Sequence, residues 1–167
     1  MSRTEMQSWR RSMVVAEGII RATIAWLAQA ANVVAPPALR IALALPFFRS
    51  GLTKWDGFLS LSPSATYLFE EEFKLHLFGS IYDFPAPTVL AHVTGLAEIT
   101  LPALLVLGLA TRSAALVLLF MTGVIQLVVP DAWANFHLPW AAMAIAIIAL
   151  GPGFMSLDHL IKSRIAQ

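Results

Sequence analysis

Six side chains in this sequence have types and spacings that could do chemistry in an apolar setting: Arg49, Lys54, His92, Glu98, Gln126 and His137. Arg49 and Lys54 lie near the end of ALRIALALPFFRSGLTKW, Glu98 interrupts TVLAHVTGLAEITLPALLVLGLA six residues after His92, and Gln126 lies near the end of LVLLFMTGVIQLVV. An unpaired arginine in hydrocarbon costs at least about 2.5 to 3.5 kcal/mol, so each charge calls for a partner at its own depth. In a helix ending at Phe58, Arg49 lies about 14 Å from the outer end and Lys54 about 6 Å. A second helix running back from Thr88 puts Glu98 about 15 Å and His92 about 6 Å below the same surface, with Gln126 at a similar level in a third. These depths predict a polar cluster in the outer half of a bundle, with Arg49 against Glu98 and His137 as its cap.

Two roles fit such a cluster. It can fix helix register, because polar groups in a span must be satisfied by neighbours. Alternatively it is a pocket for a polar head group, with Glu98 exchanging a proton or accepting a hydrogen bond while Arg49 and Lys54 hold a carbonyl or anionic group. No residue stands out as catalytic. His76, His92 and His137 fall on the outer side, but no two have ligand spacing on one helix, so no metal site is expected. The methionines Met13, Met121 and Met143 read as packing.

The elements that must position these groups follow from composition. Of the 167 residues, 58% are apolar and 13% charged, against roughly 45–50% and about 25% in a soluble domain. Mean hydropathy is +0.74. A net charge of +1 gives no reason to expect nucleic acid, and the absence of cysteine excludes disulfides and thiol redox chemistry. Four segments bounded by breakers are expected to cross: about 38–58, 88–109, 113–129 and 137–150. The last two are short and must borrow the interfacial Trp133, Phe136 and Trp140.

Residues 1–37 form an N-terminal extension ahead of the membrane domain, 38–167. Glu17, Arg21, Gln29 and Asn32 share one third of a helical wheel opposite Val15, Ile19, Trp26 and Val33, which predicts an amphipathic helix lying on the membrane surface and ended by Pro36-Pro37. Arg3, Arg10, Arg11, Arg21, Arg40, Arg112, Lys162 and Arg164 fall on one side of the four spans, and Lys54 and Lys74 on the other. That bias sets both termini in the cytoplasm. In the outer segment from Leu59 to Ala86, Ser62-Pro63 starts a short amphipathic helix carrying Leu68, Phe69 and Phe73. The expected fold is all-α: an integral membrane four-helix bundle with an N-terminal interfacial amphipathic helix and a short outer amphipathic helix.

RSGLTKW, GLAEITLPALLVLGLATR and GPGFMSLDHL occur in that order, and together they resemble the DoxX-like family of small bacterial membrane proteins. The resemblance covers about Leu39 to Ile161 and carries over Gly51, Lys54, Glu98, Gly108, Arg112 and the element from Gly151 to Asp158. Phe154 departs from it, standing where many relatives have Arg or Lys. In the closing element Ser156 is expected to cap a short helix with Asp158 in its first turn and Lys162 and Arg164 in its last. The resemblance implies a multi-pass bacterial inner-membrane protein, and membership of quinone-linked or oxidative-stress complexes. The functional expectation is therefore an accessory subunit of a membrane redox or stress-response system, with a quinone or other small polar molecule as ligand. Its partners would be the bilayer and other membrane or redox proteins, and the fold leaves room for an oligomer. A non-enzymatic membrane scaffold whose buried charges are structural is the alternative. Solute transport has no polar path through the inner half.

Overall fold

In a computed structural model the backbone is described from Arg3 to Ile165, and side chains for Met13 and for Val15 to Ile165. The side chains of Arg3, Arg10 and Arg11, used above for orientation, lie outside the described residues. The elements are α1 (Arg3–Leu52), β1 (Trp55–Gly57), β2 (Ser60–Leu61), α2 (Pro63–Tyr67) running into a π turn (Leu68–Glu72), β3 (Lys74–Leu77), β4 (Ser80–Asp83), α3 (Pro87–Leu107) and α4 (Thr111–Val128). A 3₁₀ turn (Pro130–Ala132) and a π turn (Trp133–His137) then lead into α5 (Leu138–Leu150) and α6 (Leu157–Ile165). Four stretches are long and apolar enough to cross a membrane: Val15–Leu52, Pro87–Leu107, Thr111–Val128 and Pro130–Leu150. The protein is an all-α, four-helix membrane protein. The last stretch reaches crossing length only by adding the two turns to the 13 residues of α5.

The chain divides into two compact units, Met1–Ala35 and Pro36–Gln167. Within the first, Arg21 pairs with Glu17 at 2.5 Å, one helical turn apart and exposed, and Ile19 and Trp26 are exposed as well.

Two sequence expectations about α1 need correction. Pro36-Pro37 does not end it, since helical backbone runs from Arg3 to Leu52 with Pro36, Pro37 and Pro46 inside. Each proline removes one N–H from the ladder, but Pro36 is buried and a Cβ added at Gly153 would come within 2.7 Å of its ring, so tight packing holds the local helix. Nor does the helix reach Phe58. It stops at Leu52 because the chain turns: the Lys54 N–H reaches the Gly51 carbonyl at 3.2 Å, and the Lys54 carbonyl accepts from Ser62 N–H at 2.9 Å. Trp55–Gly57 then pairs with Ser60–Leu61 as a bulged hairpin.

The short helix expected after Ser62 is present and carries Leu68 and Phe69 in its π turn, but Phe73 lies just past its end in extended backbone. Ser62 is extended at φ −67°, ψ 148°, its side chain accepts from the Ala65 N–H, and Pro63 opens the first turn. A regular hairpin follows, with Lys74 opposite Asp83 and Leu77 opposite Ser80. Phe78 and Gly79 both have positive φ at its tip, the backbone a tight two-residue hairpin turn requires.

The core consists of Leu43, Ala44 and Phe47 on α1, Leu105 on α3, Ala114, Ala115 and Leu118 on α4, and Ala144 and Ile147 on α5. Alanines at these contacts let the helices approach closely, which dispersion-driven packing in lipid needs. Gly51 brings α1 against α3: a Cβ there would lie 2.9 Å from the backbone carbon of Glu98. The end of α1 is therefore level with the middle of α3, so the two helix ends do not share one plane.

Candidate functional site

The stagger between α1 and α3 builds the site. Lys54 lies two residues past the end of α1, and Gly95, one turn from Glu98, lets its aliphatic stem and the Trp55 ring lie directly on α3. The ammonium then meets Glu98 Oε2 at 2.5 Å, with side-chain exposures of 11% and 6%. Lys54 also donates to the Ser50 hydroxyl at 3.0 Å. Among the described residues this is the one ion pair with both partners buried.

The pair forms part of the wall of a cavity of about 400 Å³ between α1, α3 and α4. Most of the remaining lining is apolar. Phe47 and Trp140, 5.2 Å apart, form one wall. Phe69, Phe73 and Phe84 come from the segment between β2 and α3, the first two meeting edge to face at 5.1 Å. The cavity is thus a greasy chamber with one neutralised pair of charges.

The six expected residues do not form a single cluster. Lys54 and Glu98 line the cavity. Arg49 was expected to be the partner of Glu98 and is not: it is exposed in the last turn of α1 and forms no ion pair among the described residues. The physical reason is twofold. With the helix ending at Leu52 rather than Phe58, Arg49 is about 4.5 Å from the helix end instead of 14 Å, close enough for its long side chain to snorkel. The turn after Leu52 also takes Lys54 off the helix, so its direction is set by that turn and by its contact on Gly95, separately from that of Arg49. His92 stands apart, donating from Nδ1 to the Thr88 carbonyl at 2.8 Å and meeting Trp55 edge-on at 5.9 Å.

Gln126 and His137 form a second polar pair. The Gln126 amide nitrogen donates to the Pro130 carbonyl at 2.9 Å, which turns its oxygen toward His137 Nδ1 at 2.6 Å. Nδ1 therefore carries the proton. His137 is buried and packs on Trp140 at 5.5 Å, so the pair touches the cavity only through that ring. Among the described residues no three His, Asp or Glu side chains converge to hold a metal ion. Sequence reasoning missed Ser50 and the aromatic lining; the spacing of Ser50 four before Lys54 and of Phe69 four before Phe73 was the available signal.

At the other end of the bundle, the closing element acts as a clamp. The α3–α4 turn is three residues long, with Gly108 at φ 69° and Ala110 at φ 47°. Asp158 accepts from the Ala110 and Thr111 N–H groups at 2.8 and 2.9 Å, and its own N–H reaches the Gly108 carbonyl at 2.9 Å. As expected, Asp158 lies in the first turn of α6 and Lys162 and Arg164 in its last, and Ser156 caps α6 by accepting from the His159 N–H at 3.1 Å; the Asp158 carboxylate in addition caps α4. Burial alone would raise the Asp158 carboxyl, but the two backbone donors and the nearby Lys162 charge outweigh it and hold it below the usual carboxylate range. Arg40, buried, completes the clamp by donating to the Met155 carbonyl at 2.6 Å.

A family model described as DoxX matches residues 35–131, more than half of the chain. No curated protein and no solved structure matches it. The matched range holds Lys54 and Glu98, most of the cavity and the α3–α4 side of the clamp; α5 and the closing element with Met155, Ser156 and Asp158 lie beyond it.

Proposed function

The chain belongs to the DoxX family of membrane proteins, and from that premise we propose that it is an accessory subunit of a membrane redox or stress-response system, binding a small lipid-soluble molecule in the cavity beside Lys54 and Glu98. The observation that carries this reading is a chamber of about 400 Å³, within the usual range for small-molecule sites of roughly 300–1,000 Å³, whose apolar wall is broken by one buried ion pair. A quinone fits that chemistry, with its ring among Phe47, Phe73 and Trp140 and an oxygen at Lys54. The cation that holds the head group in this reading is Lys54 alone, and Arg49 has no part in it.

The basic-residue bias supports a plasma-membrane topology of bacterial type with both termini in the cytoplasm and the cavity in the outer half of the bilayer. Residues 13–35 are proposed to lie on the cytoplasmic membrane surface. The stretch Val15–Leu52 has 38 residues, almost twice the roughly 20 that a crossing uses.

A second reading has its own support. Lys54 and Glu98 already satisfy each other and Ser50, which is what a purely structural pair in a scaffold would do. Extraction of the protein purified in mild detergent separates the two. Recovery of a quinone or similar lipid at near-stoichiometric amounts, lost when Phe73 or Trp140 is replaced by Ala in protein that still accumulates, is the expected result. An empty protein whose Glu98→Gln variant supports normal growth under oxidative stress would leave the scaffold.

A further inference from the structure

Resting on that ligand-site reading, we infer that the cavity takes its ligand sideways from the bilayer and selects an uncharged head group carrying carbonyl or hydroxyl oxygens over a carboxylate of the same chain length.

The access route follows from which wall residues remain exposed. Val93 on α3 and Val117 and Phe120 on α4 border the cavity yet are 57%, 43% and 72% exposed. These two helices are joined by a three-residue turn at the clamp end; Val117 lies six residues along α4 from that turn and Val93 six residues along α3 from the opposite end, so the gap this route needs lies between them at mid-height. The exposed faces there are apolar and meet lipid tails. From the hairpin end the cavity is bounded by Phe69, Phe73 and Phe84, with Phe69 only 6% exposed. A molecule dissolved in the bilayer thus reaches Glu98 past valines and a phenylalanine, without crossing that aromatic cover. The volume suits a ring-sized head and the first few carbons, and the rest of a chain would lie out through the gap in lipid.

Head-group choice follows from the hydrogen-bond inventory. Lys54 has three N–H donors, of which Glu98 and Ser50 take two. Glu98 engages Lys54 through Oε2, and among the described residues its Oε1 has no side-chain or backbone donor. Two hydroxyls share the wall: Thr94 already donates to the Leu90 carbonyl at 2.8 Å, while Ser50 accepts from Lys54 and, among the described residues, has no acceptor for its own O–H. The pair and Ser50 therefore offer two donors and one acceptor and a net charge of zero. A neutral head with an acceptor, or with an acceptor and a donor, complements them. A carboxylate meets Lys54 and Glu98 together: attraction and repulsion nearly cancel, and the loss of its own hydration remains uncompensated.

The test uses the full-length protein in detergent micelles at pH 8.5, with radiolabelled dodecyl-benzoquinone, dodecanol and dodecanoate as probes in equilibrium dialysis. Micelles without protein supply the baseline for partition, and Val117→Trp, which fills the gap from an exposed position, should take up a neutral probe more slowly than the wild type. The wild type is expected to bind the quinone and the alcohol above that baseline and at least tenfold tighter than dodecanoate. Glu98→Gln, which leaves Lys54 as a lone cation, is expected to reverse the order of alcohol and dodecanoate. Equal binding of all three probes by the wild type overturns the selectivity, and a Val117→Trp variant that takes up a neutral probe at the wild-type rate in rapid mixing overturns the side route; both outcomes leave the ligand-site reading standing. If no probe exceeds the micelle background measured without protein, the ligand-site reading falls and takes this inference with it.

Discussion

Replacing Glu98 by Gln leaves the Lys54 ammonium in a site where its side chain is 11% exposed. At 2.5 Å the gross attraction of the pair is about 7 kcal/mol at an effective dielectric of 20, but most of that offsets desolvation, so the measurable quantity is the cost of orphaning one partner. That cost is about 3–5 kcal/mol for a buried pair, and the remaining Ser50 contact at 3.0 Å places Glu98→Gln toward the lower end. Lys54→Met, which strands the carboxylate with no such contact, falls toward the upper end. At about 2–4 °C per kcal/mol for a chain of this size, the single variants should lose roughly 6–20 °C in Tm. The double variant Lys54→Met/Glu98→Gln removes both charges and should recover most of the loss, because an apolar replacement of a buried pair is often close to neutral. Thermal unfolding of all four proteins in one detergent, followed by circular dichroism, completes the cycle. Arg49→Gln serves as the control and should stay within about 0.5 kcal/mol, since the side chain is exposed. The reasoning is refuted if Glu98→Gln costs less than about 1 kcal/mol, if the double variant is no more stable than the singles, or if Arg49→Gln is as damaging as Glu98→Gln.

Asp158→Ala removes the acceptor of two N–H groups at the start of α4 and should cost about 1–2 kcal/mol in the same unfolding assay. Because the folded carboxyl is held below its ordinary value, its contribution is fully present above the usual carboxylate range near pH 4 and is lost as pH falls through the lower folded value; the wild type should show this acid-side loss of Tm and Asp158→Ala should lack that component. Gly51→Ala, whose added Cβ would sit 2.9 Å from the Glu98 backbone, should destabilise by about 1–3 kcal/mol as α1 and α3 are forced apart. Gly123→Ala, with nothing within 4 Å of the new atom, should be neutral or gain up to about 1 kcal/mol from helix propensity in a parallel melt.

The hairpin between Lys74 and Asp83 carries only weak local signals in its sequence. Phe-Gly at its tip is a weaker turn signature than Asn-Gly, because Phe78 must adopt a positive φ that a bulky side chain resists. Its flanking residues also alternate poorly, with Ile81 and Tyr82 both exposed. Ser62-Pro63 was legible for the opposite reason, as a cap and a first-turn proline act within four residues of chain.

Residue composition and breaker spacing alone settled that this is a four-helix membrane protein, roughly where three of its helices begin and end, and which few ionisable groups could form a pair inside it. Those conclusions rest on transfer free energies and backbone preferences, which belong to each residue and its near neighbours. Which cation neutralises Glu98 was decided only in three dimensions. Depth counted from helix ends assumes that the ends are level and ignores rotation about each axis. The Gly51 contact sets the end of α1 against the middle of α3, and the turn after Leu52 swings Lys54 inward while Arg49 faces out. Both depend on surfaces far apart in the chain meeting at one contact.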